Sequence, residues 1–127
     1  MNNRKIKLLI ADDDEMLCRN LEAFFQDEDF DVTAETTGEG AIKSIENDIF
    51  DAGIIDMRLP GIDGNDLIFK AHKINPDMKF IIYTGSSNYV LPSNLANIGI
   101  DKECIFLKPV ADTYSLINKI NQLTGKK

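Results

Sequence analysis

Five polar side chains follow or end apolar segments of this sequence, and their types could support chemistry. Asp12 and Asp13 come directly after a run of aliphatic residues, and three similar runs end at Asp56, Thr84 and Lys108. Such runs are typical of strands buried on both faces of a parallel sheet. Because functional groups in open parallel sheets gather at the carboxyl ends of the strands, we expect these five side chains to converge.

Converging carboxylates would repel one another unless a cation lay among them. Oxygen ligands without histidine or cysteine suit Mg²⁺, so Asp12, Asp13 and Asp56 indicate a divalent metal site. A metal, a lysine and a hydroxyl around a carboxylate can neutralise a transferring phosphoryl group. Asp56, alone at the end of its strand, is the expected nucleophile.

Strand-like and helix-like patterns alternate along the chain and would position these groups. The predicted strands are Ile6 to Ala11, Val32 to Glu35, Ala52 to Ile55, Phe80 to Tyr83 and Cys104 to Leu107. Helical spacing relates Leu17, Leu21, Phe24 and Phe25; then Ile42, Ile45 and Ile49; then Leu67, Ile68, Ala71 and Ile74; and finally Leu116, Ile117, Ile120 and Leu123. Between Asn88 and Ile98, Pro92 predicts a short helix that starts late. The alternation predicts a three-layer α/β sandwich with five helices around a mostly parallel sheet.

Composition limits the class of protein. At 127 residues we expect a single domain over residues 1–127. The formal charge of −7, without a basic block apart from Lys126 and Lys127, argues against direct binding of nucleic acid or anionic membranes. No apolar run could span a bilayer and no signal sequence is visible, so we expect a cytoplasmic protein. Cys18, in a predicted helix, and Cys104, in a predicted strand, are expected to be buried reduced thiols.

Four segments resemble the response-regulator receiver family of two-component signalling, which includes a stand-alone chemotaxis regulator. They are Leu-Leu-Ile-Ala-Asp-Asp-Asp (8–14), Ile-Ile-Asp-Met-Arg-Leu-Pro-Gly-Ile-Asp-Gly (54–64), Tyr-Thr-Gly (83–85) and Phe-Leu-Lys-Pro (106–109). The resemblance covers essentially the whole chain. It implies a flavodoxin-like fold with five parallel strands in the order 2-1-3-4-5.

The resemblance also implies roles for individual residues. Asp13, Asp56 and the backbone carbonyl of Arg58 would bind Mg²⁺ directly, while Asp12 would hold the metal mainly through water. Asp56 would become an aspartyl phosphate. The side chain of Arg58 could tune hydrolysis or donor choice, or could be an ordinary exposed loop arginine.

Further roles follow for the last two strands. Thr84 would donate a hydrogen bond to one phosphoryl oxygen and Lys108 would pair with another, while Pro109 would follow a cis peptide bond. The donor would be a sensor histidine kinase or a histidine phosphotransfer protein. The output would be a changed surface that binds a downstream protein, and the resemblance also permits a homodimer.

The sequence departs from the family near the fifth strand. Receivers often place an aromatic residue three positions before the lysine, but this chain has Ile105 there. Phe106 is adjacent, yet it should point to the opposite face of the strand. This departure weakens the expectation of signalling through an aromatic rotamer. The segment from Gly99 to Lys108 is also about two residues longer than usual in the family, which could shift the comparison.

Two other classes of function stay open on the sequence. A haloacid-dehalogenase-like phosphatase also uses a strand-end aspartate with Mg²⁺, but its Asp-x-Asp-x-Thr/Val motif is not completed after Asp14. A scaffold that keeps the receiver fold without phosphate signalling is consistent with Ile105. The regulatory phosphoacceptor, which is not an enzyme acting on external substrates, remains the preferred hypothesis.

Several residues also have simple structural interpretations. Asp12, Asp13 and Asp14 could form a solvated acidic start to the following helix, for which Asp14 and Glu15 are the best candidates. In isolation, Thr84 could be a strand-end hydroxyl and Lys108 a surface cation. We expect turn or cap roles for Asp51, at the opposite sheet edge, and for Asp63, and helix-flank packing for His72.

Overall fold

The computed structural model describes residues 4–125, so Lys126 and Lys127 lie outside the described residues. The strands are β1 (Lys7–Ala11), β2 (Asp31–Glu35), β3 (Ala52–Ile55), β4 (Lys79–Thr84) and β5 (Ile105–Leu107). The helices are α1 (Glu15–Asp27), α2 (Gly38–Asn47), α3 (Gly64–Ile74), α4 (Ser93–Ala96) and α5 (Tyr114–Thr124).

The five strands form one sheet in the order β2-β1-β3-β4-β5, and every neighbouring pair is parallel. Alternate side chains enter two separate cores. Leu8 and Ile10 pack on the side of α1 and α5, whereas Leu9 and Ala11 pack on the side of α2, α3 and α4. This arrangement confirms the predicted three-layer sandwich and its strand order.

Helix starts follow local capping chemistry. The side chain of Asp14 accepts a hydrogen bond from the backbone N–H of Leu17, and Asp63 accepts one from Asp66. Both residues therefore have the structural role that was expected of them. The helix α4 begins at Ser93, directly after Pro92, and is only four residues long, which confirms a short helix with a late start.

Two sequence assignments near element ends were wrong. Cys104 ends a 3-10 turn (Lys102–Cys104), not a strand, because Asp101 caps that turn through its side chain and its carbonyl. Ile49 lies beyond α2, which ends at Asn47, and is 75% exposed. Ile74 lies in the last turn of α3, as its helical spacing predicts, but it is exposed. Helical spacing groups residues on one face, but it does not show where the sheet stops covering that face.

Cys18, in α1, and Cys104 are both buried free thiols, as expected. Burial is the largest cause of the raised pKa of each thiol, and the pKa of Cys18 rises to about 11.

Within residues 4–125, none of the helices is long and apolar enough to cross a membrane.

Candidate functional site

Hydrogen bonds between strands fix the backbone at Asp12, Asp56 and Lys108. The N–H of Asp56 donates to the carbonyl of Ala11 (2.8 Å), and the N–H of Lys108 donates to the carbonyl of Thr84 (2.8 Å). Hydrogen bonding between parallel strands thus continues one residue beyond β3 and β5. The sheet therefore holds Asp12, Asp56 and Lys108 just beyond the ends of their strands, and Thr84 is the last residue of β4. Asp13 lies in the loop between β1 and α1.

Three carboxylates meet at the carboxyl ends of the strands. Asp12, Asp13 and Asp56 each offer an oxygen within 4.8 Å of those of the other two. Asp12 and Asp56 are only 2% and 5% exposed, whereas Asp13 is exposed. The structure therefore brings together the three aspartates selected from the sequence, and it leaves Asp14 in its capping role.

Lys108 lies against this acidic cluster. Its Nζ is 2.6 Å from Oδ2 of Asp12 and 3.4 Å from Oδ1 of Asp56. Burial of Lys108 disfavours its charge, but the hydrogen bond and charge of Asp12, together with Asp56, outweigh burial and raise the lysine pKa. The lysine is therefore held in its charged form between two carboxylates.

The pKa of Asp56 is raised from its usual value. Burial is the largest cause and the negative charge of Asp12 the next, while Lys108 and the backbone of Arg58 oppose the rise. A negative charge at Asp56 is thus incompletely neutralised by the protein alone. Such a position favours binding of an additional cation.

Thr84 and Pro109 complete the predicted set. Thr84 is 4% exposed, and its Oγ1 accepts the N–H of Ser86 at 3.1 Å. Because the hydroxyl oxygen is the acceptor in that bond, its proton can still be donated to another group. The Lys108–Pro109 peptide bond is cis, as predicted. The side chain of Arg58 is exposed in the β3–α3 loop.

The region around Ile105 matches the expected alternation of side chains. Ile105 packs against the core on the α3 and α4 side, and Phe106 against the core on the α1 and α5 side. The 3-10 turn occupies the segment that precedes β5, and the strand register pairs Ile82 with Ile105. The aromatic side chain is therefore on the other face of the sheet from Ile105.

Sequence reasoning missed two neighbours of the site. The hydroxyl oxygen of Tyr83 accepts a hydrogen bond from the N–H of Val110. In the sequence, the signal for this role is that Tyr83 carries the single polar side-chain group of the run from Phe80 to Tyr83. Gly64 lies so close to the backbone of Asp56 and Met57 that a Cβ would clash with both. The glycine was noticed only as part of a loop motif.

Comparisons with known proteins agree with this geometry. The model of the response regulator receiver domain family matches residues 8–121. The response regulator SaeR of Staphylococcus aureus is 28% identical over 116 residues, which are 91% of this chain and 49% of SaeR. The chain thus spans about half the length of the curated relatives it matches.

Solved structures share the fold. A CheY-like receiver domain protein from Methanospirillum hungatei is 30% identical, with a TM-score of 0.82 and coverage of 96% of this chain and 95% of that chain. The response regulator TrrA from Thermotoga maritima, solved in complex with Mg²⁺-BeF, is 25% identical, with a TM-score of 0.77 and coverage of 93% and 98%. With a family match over most of its length and this fold, the chain belongs to the response regulator receiver domain family.

Proposed function

We propose that Asp56 accepts a phosphoryl group in a Mg²⁺-dependent reaction and that the phosphorylated chain presents a changed protein-binding surface. The observation that carries the proposal is the convergence of Asp12, Asp13 and Asp56 beside the ammonium of Lys108. In the reaction, a carboxylate oxygen of Asp56 forms a bond to phosphorus while the bond from phosphorus to the donor breaks.

The donor set suits Mg²⁺. Asp13, Asp56 and the backbone carbonyl of Arg58 would hold the ion directly, and Asp12 would hold it mainly through water. When bound, Mg²⁺ supplies positive charge against the oxygens of the transferring phosphoryl group. Hard carboxylate oxygens that share one lysine match the preference of this ion.

Lys108 and Thr84 would act on the phosphoryl group itself. The ammonium already lies 3.4 Å from Oδ1 of Asp56, so it can pair with an oxygen of a group attached there. The Thr84 hydroxyl, with its proton still to donate, would bind a second oxygen. Movement of Thr84 toward that oxygen would pull on β4 and the β4–α4 loop.

The donor would be the phosphohistidine of a sensor histidine kinase or of a histidine phosphotransfer protein, because family members act in two-component signalling. The output would be a downstream protein that reads β4, β5, α4 and α5, or a homodimer. We propose a single receiver domain that catalyses only its own phosphorylation and dephosphorylation. Its two free thiols suit the reducing cytoplasm.

The structure argues against the phosphatase alternative. That family requires a second reactive aspartate two positions after the first, but Asp14 caps α1 through the N–H of Leu17. The scaffold alternative is weakened because the acidic cluster, Lys108 and Thr84 are all in place at one edge of the sheet.

Intact-mass spectrometry after incubation with acetyl phosphate tests the proposal. We expect the wild type to gain one phosphoryl group only when Mg²⁺ is present, and Asp56→Asn to gain none. Asp63→Asn is the matched control, because asparagine can also cap α3 and the residue is outside the acidic cluster.

Two outcomes would contradict the proposal. Equal labelling of wild type and Asp56→Asn would exclude Asp56 as the acceptor. Absence of labelling with acetyl phosphate and also with a phosphorylated histidine kinase would favour the scaffold.

A further inference from the structure

Tyr83 links β4 to the loop that follows Lys108. It is the penultimate residue of β4, only 3% exposed, and its side chain packs on the α1 and α5 side of the sheet. Its hydroxyl oxygen accepts the backbone N–H of Val110 at 3.0 Å. A buried tyrosine commonly satisfies its hydroxyl in this way, but here the partner lies just two residues after Lys108.

The neighbouring residue of β4 holds the same segment at its other end. The carbonyl of Thr84 accepts the N–H of Lys108 at 2.8 Å. Thr84 and Tyr83 therefore fix the backbone at Lys108 and at Val110, on both sides of Pro109. The Nζ of Lys108 also lies 5.8 Å from the centre of the Tyr83 ring, so the lysine side chain runs close to that ring.

The strand that precedes Lys108 is short, so a second anchor beyond the hydrogen bond to Thr84 adds to its support. β5 is three residues long, is an outer strand of the sheet beside β4, and ends at the exposed residue Leu107. A lysine side chain also loses considerable rotamer entropy when its ammonium is held in one place. An anchor on the more central strand β4 reduces the movement of the segment that carries Lys108.

We propose that Tyr83 is a positioning residue for phosphoryl transfer: its hydroxyl holds the Lys108–Val110 segment so that the ammonium of Lys108 meets the phosphoryl group on Asp56. This inference rests on the proposed function. The hydroxyl of Tyr83 bonds to Val110 and not to the carboxylates that would hold the metal, so Tyr83 should affect binding of the phosphoryl group and not binding of the metal.

The variant Tyr83→Phe tests the inference, because it removes one hydroxyl and keeps the buried ring. The probes are Mg²⁺ alone and beryllium fluoride with saturating Mg²⁺, a mimic of the phosphoryl group, each titrated by calorimetry. Loss of one net hydrogen bond predicts beryllium fluoride binding weaker by roughly threefold to tenfold. Mg²⁺ affinity should stay unchanged, whereas a merely structural defect would weaken both.

A double-mutant cycle shows whether Tyr83 acts through Lys108. In a Lys108→Ala background, Tyr83→Phe should cause no further loss of beryllium fluoride affinity. Tyr114→Phe is the matched control, since it removes an exposed hydroxyl that bonds to Glu28, a residue outside the acidic cluster, and it should leave both affinities unchanged.

The outcomes separate the inference from the proposed function. Equal beryllium fluoride binding by wild type and Tyr83→Phe, or an equal loss in the Lys108→Ala background, would overturn the role of Tyr83 alone. Failure of the wild type to bind beryllium fluoride with Mg²⁺ would overturn the proposed function, and the inference with it.

Discussion

The two edges of the sheet both carry clusters of charged residues, but the clusters differ in how their charges are satisfied. At the amino edge, Arg4 pairs with Asp51 at 2.9 Å, and Lys7 pairs with Asp48 and Asp31. At the carboxyl edge, Asp12, Asp13 and Asp56 share the ammonium of Lys108.

The pKa directions show the consequence. At the amino edge, hydrogen bonding to Lys7 lowers the pKa of Asp48, and hydrogen bonding to Asp48 raises that of Lys7. Each partner thus favours the charged form of the other. At the carboxyl edge, burial and Asp12 raise the pKa of Asp56. At the amino edge two cations pair with three carboxylates, whereas at the carboxyl edge one lysine serves three. The carboxyl edge therefore keeps the larger excess of negative charge, which a cation can neutralise.

The largest expected effect comes from removing one carboxylate charge at each edge. Asp13→Asn should weaken Mg²⁺ binding by at least about tenfold, because it removes a charged ligand, and it should not lower stability, because it relieves repulsion. Asp48→Asn should leave Mg²⁺ binding intact and lower Tm slightly, since it removes a partner of Lys7. Calorimetry with Mg²⁺ and thermal unfolding measure both quantities. Equal Mg²⁺ affinity in the two variants would remove the functional distinction between the edges.

A smaller effect is expected from packing beside Asp56. In Gly64→Ala the new Cβ would lie 2.8 Å from Cα of Met57 and still closer to the carbonyl oxygen of Asp56, so the β3–α3 loop must shift. We expect a loss of about 1–3 kcal/mol in the free energy of unfolding, together with slower phosphorylation. Urea unfolding and intact-mass kinetics measure these changes.

Gly85→Ala is the matched control, because its Cβ would meet no atom within 4 Å. Wild-type stability of Gly64→Ala would show that the backbone at Asp56 tolerates movement, contrary to the rigid site described above.

The smallest expected effect concerns pH. Burial, followed by the charge of Asp63, raises the pKa of Tyr89 to about 12, so negative charge is disfavoured at this residue as it is at Asp56. An unfolded tyrosine loses its proton at about pH 10. The contribution of the neutral, buried Tyr89 to folding stability is therefore complete below that pH and is lost as pH rises through about 12. The unfolding free energy of the wild type should therefore fall more steeply with pH than that of Tyr89→Phe. Urea titrations from about pH 9 to pH 12 measure the slopes, and identical slopes would contradict this effect of burial.

The sequence predicted the fold and the site for a shared reason. Buried parallel strands appear as continuous apolar runs, and the residue that ends each run is placed at the functional edge without further information. Asp12, Asp56, Thr84 and Lys108 could be selected in this way. The wrong assignments, at Cys104 and Ile49, both fall at element ends, where capping and the extent of the sheet decide the structure.

The sequence by itself thus determined the alternation of strands and helices and the sheet edge at which the predicted site residues meet. The strand order was implied by the resemblance to the family. Only the tertiary structure decided that Lys108 pairs with Asp12, 96 positions away, that Tyr83 holds Val110, and that Tyr89 donates its hydroxyl proton to Asn65. Hydrophobic periodicity is a local property that neighbouring residues encode. Contacts between side chains depend on how separate elements pack, which no short stretch of sequence specifies.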